Sequence, residues 1–201
     1  KFPDATGYVR GLYRIPGLSD AQAELIETRF MKTIDDWASY ALAKLNRKHM
    51  DDWSPHMRSS WSLFLMGIIL RSPRSVANIK SALTDGLPER WEVERAKQLQ
   101  ENPTAGPLGD FNALFSEQYA ALAIQRMIMN PNLGNFLNAM DWSVLDVGRS
   151  KFRFLTSDRP VVMTNGIGTE NGHLAIAVSP TILFLAAKNR RLTQEIHGYN
   201  P

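Results

Sequence analysis

The sequence predicts an α+β chain, mainly helical over its N-terminal three quarters, with a small, largely antiparallel sheet in its C-terminal quarter. Three observations carry that expectation. Apolar residues recur at three- and four-residue steps as far as about residue 140. Short β-type runs bounded by Gly, Pro, Asn and Ser then follow to about residue 187. Hydrophobic residues make up 44% and charged residues 21% of the 201 positions, which is ordinary for a globular protein with a sizeable core. Helices first and strands afterwards is the α+β order. A single domain over 1–201 is expected, with a helical part at about 19–140 and a strand-rich part at about 141–187.

The elements follow from local signals. Residues 1–18 hold Pro3, Gly7, Gly11, Pro16 and Gly17 and show no helical period. Ser19, with Gln22 three residues on, has the capping-box spacing, and Leu25, Ile26, Phe30, Ile34, Trp37, Ala41, Leu42 and Leu45 form one apolar stripe behind it. Ser54-Pro55 opens a second helix to Arg71, because proline at the first helical position gives up an N–H that would be unbonded anyway. That helix is apolar almost all round from Trp61, so it is the expected centre of the core. Ser72-Pro73 starts a third helix, to about Thr84, and Pro88 begins a charged one to Gln100. After the loop 102–109, Asp110 is a candidate cap for a helix carrying Phe111, Leu114, Phe115, Tyr119, Leu122, Ala123 and Met127. Asn130-Pro131 ends it, before a short helix from Asn132 to Met140. Strands are expected at 142–147, 152–155, 161–163, 174–178 and 182–185.

Composition excludes several classes. The absence of cysteine rules out disulfides, thiolate zinc sites and a cysteine nucleophile, and fits a reducing compartment such as the cytoplasm. The longest apolar run, Trp61 to Leu70, is about half the length a membrane-spanning helix needs, so no membrane association is expected. The net charge of +3 reads as a mild imbalance spread along the chain, without the dense basic clustering of a nucleic-acid site. A protein or small-molecule partner is therefore expected ahead of nucleic acid.

No catalytic signature stands out. His49, His56, His173 and His197 have no metal-ligand spacing, so neither a metal nor a cofactor is expected. No G-x-S-x-G elbow is present. Asn165-Gly166-Ile167-Gly168 reads as a hairpin turn, since no helix follows to offer its N-terminus to a phosphate. Arg71 and Arg74, with Arg58 and Lys80 nearby, are weak candidates for anion binding at the Ser72-Pro73 helix start. Their structural reading, a favourable helix-end charge at Arg71 and a solvated Arg74, is preferred. Ser157 and Asp158 are weak catalytic candidates, Asp158 also a binding one. The preferred reading makes Asp158 the bonding side chain of a rigid turn, with a metal ligand or general base as the alternative.

Phe154-Leu155-Thr156-Ser157-Asp158-Arg159-Pro160-Val161, with Trp142 upstream and Ser179-Pro180 downstream, resembles the uncharacterised bacterial family called domain of unknown function 4238. Members carry a Phe-x-Thr-Ser-Asp-x-Pro-Val segment and then a strand ending in Ser-Pro. Arg71-Ser72-Pro73 and Ile26-Glu27 match two further features, so the resemblance runs from about Ile26 to Leu185. It implies no activity. Members usually begin with a His-x-x-Pro-x-x-Tyr-Leu segment, of which Tyr8-Val9-Arg10-Gly11-Leu12 is a faint echo, so such a segment is expected to be absent or to precede Lys1. The expected function is binding of a ligand or partner. The alternative is a hydrolase, nuclease-like, with its site near Asp158.

Overall fold

The computed structural model describes Ser19, residues 32–103 and residues 113–198. The Ser19–Gln22 capping box, the start of the first helix, Ile26-Glu27, the loop 104–109 and the Asp110 cap lie outside the described residues. Among those described, seven helices and four strands occur: α1 Lys32–Asn46, α2 Pro55–Arg71, α3 Pro73–Thr84, α4 Leu87–Glu101, α5 Ala113–Ile128, α6 Pro131–Asn138, β1 Asp141–Asp146, β2 Val161–Thr164, β3 His173–Ala177, β4 Ile182–Ala187 and α7 Arg190–Gly198. They group into two compact units. One contains α3, α4 and nearly all of α5, and the other contains α1, α2, α6, the sheet and α7.

The first unit is simple. In α3 only Val76 is buried, in α5 Ala120 and Ile124 are buried, and α4 has no buried residue. The charges of α4 sit on its surface as i,i+3 and i,i+4 pairs, Arg95 with Glu92 and Lys97 with Glu101.

The second unit carries the larger core. Its sheet has the order β1-β4-β3-β2, and every neighbouring pair is antiparallel. By register, Trp142, Phe184, Ala186, Leu174 and Ile176 share one face. Trp61 of α2, fully buried, meets Phe184 edge-on at 5.5 Å, and Trp142 meets Phe184 at 5.2 Å. Trp53 closes the cluster against Trp142. Such T-shaped pairs place the positive ring edge on a negative face. Leu185 and Ala187 on the other face are buried too, and α7 packs on β1 and β4. No residue of α2 from Ser60 to Leu70 is exposed, as expected of the core helix.

Helix starts obey the predicted chemistry. The Ser54 hydroxyl accepts the N–H of Met57, with Pro55 at the first helical position. Asn130 repeats the device: its side-chain oxygen accepts from the N–H of Asn132, so Asn130-Pro131 opens α6 as well as closing α5. Side chains close the carbonyls at the C-terminus of α6 and just beyond it. Trp142 Nε1 donates to Leu137 O at 2.9 Å, Arg58 Nε to Asn138 O at 2.9 Å, and an Arg58 terminal nitrogen to Met140 O at 2.7 Å.

Two expectations change. Residues 152–155 form no strand, and α7, beyond the expected strand-rich part, is a helix that the pattern reading passed over. Asn189 caps it through the N–H of Arg191, and Arg191 pairs with Glu195. No helix among the described residues is long and apolar enough to cross a membrane.

Candidate docking edge

β1 and β2 are the two outer strands of the sheet, so the chain between them must cross one end of the β3–β4 hairpin. That crossing explains why 152–155 is not a strand. Asp146 ends β1, accepting the N–H of Gly148 at 2.8 Å and pairing with Lys48 at the end of α1. Lys48 and the Gly148 N–H hold the Asp146 carboxyl below the ordinary carboxylate range. Val147 N–H then donates to Thr181 O, and Ser150 N–H back to Val147 O. Farther on, Phe154 N–H donates to Pro180 O, at the hairpin tip. A residue bonded at the tip cannot run alongside a strand. The segment 151–159 is therefore irregular and mostly exposed.

Exposure here falls on apolar residues. Phe152 is 68% and Leu155 90% exposed, and in β2 Val162 is 56% and Met163 45% exposed. Between the crossing segment and the tip lies a concavity of about 290 Å³, lined by Phe154, Leu155, Thr156, Ala177, Val178, Ser179 and Pro180. β2 pairs with β3 along one side, and among the described residues no strand pairs with its other side. A free edge offers its N–H and C=O groups to any extended chain.

The turn into β2 is built differently from the sequence reading. Ser157 supplies the bond, its Oγ accepting the N–H of Arg159 at 3.1 Å, while Asp158 is exposed and its carboxylate has no partner among the described residues. Hydroxyl and carboxylate can each close such a turn, and composition does not say which one does. At the far end of β2 the connection is a hairpin loop, as expected. Asn165 and Gly166 both have positive φ, 59° and 69°, and Thr169 N–H donates to Gly166 O. Gly172 is required there, since a Cβ would stand 2.3 Å from Gly166 O. His173 faces Thr164 across the ladder, with Thr164 Oγ1 2.6 Å from its ring.

The remaining candidates lie elsewhere. Arg71 ends α2 and its side chain lies outside the described residues. Arg74, in the first turn of α3, is exposed and belongs to the other unit. Arg58 is occupied by the α6 carbonyls and sits 3.8 Å over the Trp142 ring, so it is an anchor of the fold. His56 packs edge-on against Trp37. No three His, Asp or Glu residues among those described are grouped to hold a metal ion.

Sequence reading missed Phe152 and Leu155 as surface groups because Phe152 and Phe154 alternate around Arg153 and the run closes on an apolar residue, as a short strand would. One signal was available. Arg153 interrupts the run, and Lys151 and Arg159 flank it, with charges that an inner strand would not bury.

Comparison with known proteins agrees with the resemblance carried by the same segment. A family model described as a protein of unknown function, DUF4238, matches residues 1–198. The match extends the likeness beyond Ile26–Leu185 to nearly the whole chain. No curated protein and no solved structure matches it.

Proposed function

We propose, for a chain that belongs to the DUF4238 family of unknown function, that it is a partner-binding protein whose docking surface is the open β2 edge with its apolar approach segment. One observation carries the reading: Val162 and Met163 are exposed on a strand whose outer side is unpaired among the described residues, and Phe152 and Leu155 are exposed on the segment that leads into it. Exposed apolar groups beside a free strand edge invite aggregation unless a partner covers them. Strand addition supplies that cover, with main-chain bonds for affinity and alternate side chains for selectivity. A protein partner is favoured over nucleic acid, because Arg58 is committed within the fold. A reducing compartment, the cytoplasm of a bacterium, suits a chain without cysteine.

The hydrolase alternative asks for a second titratable group within hydrogen-bond reach of Asp158. None of the described residues bonds that carboxylate. Photo-crosslinking tests the binding reading. A benzophenone amino acid at Val162 should yield a discrete covalent adduct in cells, identifiable by mass, and the same group at Glu94 on α4 should not. Equal labelling at both positions, or none at Val162, would reject the reading.

A further inference from the structure

Between Arg149 and Arg159 stand four basic residues, Arg149, Lys151, Arg153 and Arg159, against the single acid Asp158. The resulting +3 equals the net charge of the whole chain, so the remaining residues balance to zero. This replaces the picture of a mild excess spread along the sequence. Other basic clusters are partly neutralised from within. Lys44 pairs with Asp52, Lys48 with Asp146 and Arg191 with Glu195. In the crossing segment all four cations are exposed and none forms a direct ion pair among the described residues, although Arg149 lies within electrostatic reach of the Asp146 carboxylate and Lys151 sits 5.4 Å over the Phe152 ring. Arg153 donates to the carbonyls of Ser150 and Phe152, which fixes its direction without cancelling its charge.

Resting on the partner-binding reading above, we infer that the β2 edge takes an acidic, extended peptide segment: its backbone continues the sheet, its carboxylates meet Arg159 at the start of β2, and Arg153, Lys151 and Arg149, farther back along the crossing segment, steer its approach. Charge and backbone argue separately for this occupant. The cations select an anionic partner and steer its approach. The unpaired side of β2 needs alternating N–H and C=O groups at strand spacing, which a polypeptide has and neither a nucleic acid nor a lipid surface presents. Phe152, Leu155 and the concavity against Val178 and Pro180 then receive apolar residues of the same segment. A second copy of this chain fits poorly, since its own β2 is approached by the same basic segment.

Defined probes test the inference on the full chain. A labelled ten-residue peptide alternating Glu and Val should bind in fluorescence anisotropy, and its amide-shift map on the protein should centre on 149–164. Raising salt from about 50 to 500 mM should weaken it about tenfold. The variant R149S/K151S/R159S, surface changes that leave the core intact, should weaken it about tenfold as well. Binding by a peptide with Ser in place of Glu at equal strength and at the same edge would overturn the acidic chemistry while leaving the partner-binding reading standing. No binding of the Glu peptide at millimolar concentration, tighter binding of oligothymidylate or phosphatidylserine vesicles, or a stable dimer of the protein alone formed through β2 would each overturn the inference.

Discussion

Asp146 shows how much a single carboxylate organises. Lys48, held at φ 60°, reaches it from the end of α1, and the Gly148 N–H bonds it from the turn that launches the crossing segment. Because its folded pKa is depressed, first by Lys48 and then by the Gly148 bond, its stabilising effect is present above the unfolded carboxylate value. That effect is lost as pH falls through the folded one, below about pH 4. Asp146→Asn should therefore lower thermal stability at pH 7 and flatten the acid limb of the profile between about pH 5 and 2, so that variant and parent converge at the acid end. An unchanged acid limb in that variant would show that the pair contributes nothing. Ser157 and Asp158 teach a different lesson at the same scale. Both residue types close turns of this kind, so the choice between them rests on where the backbone N–H of Arg159 points.

At the scale of elements, α2 and α6 are joined by a small polar seam beside the aromatic cluster. Ser62 Oγ donates to Asn138 Oδ1 at 2.7 Å, Asn138 Nδ2 donates to Ser59, and Arg58 closes the α6 carbonyls. A guanidinium suits a helix C-terminus, where unbonded carbonyls and the helix dipole are both negative. Its aliphatic stem and its face on Trp142 also pack. Replacing Arg58 by Met keeps the stem and removes the donors, so the unfolding free energy in urea should fall by about 2 kcal/mol with the m-value unchanged. A loss under about 0.5 kcal/mol would mean that water satisfies those carbonyls equally well. The Ser54-Pro55 start was legible because its chemistry is local, whereas Asn130-Pro131 was read only as a helix end although the same chemistry opens α6 there. Strand 152–155 was misread, because alternation reports a pleat only where a neighbour strand exists to pair with it.

For the whole molecule, strand order sets the hierarchy of stability. β4 is flanked by β1 and β3 and buried on both faces, whereas β2 has one neighbour and an exposed residue at Val162. Hydrogen exchange should protect the amides of Phe184 to Ala186 by about three orders of magnitude more than those of Val162 to Thr164, the first opening with global unfolding and the second locally. Equal protection would mean that the β2 edge is already covered, and the docking proposal would fail with it. Helix-to-strand order, the core role of Trp61, the proline starts and the family segment were all written in the sequence, since each depends on neighbours a few residues apart. Tertiary structure alone decided the β1-β4-β3-β2 order, the hairpin crossing and the exposure of Phe152 and Leu155. Those features depend on which strands meet across tens of residues, and local pattern carries no term for that.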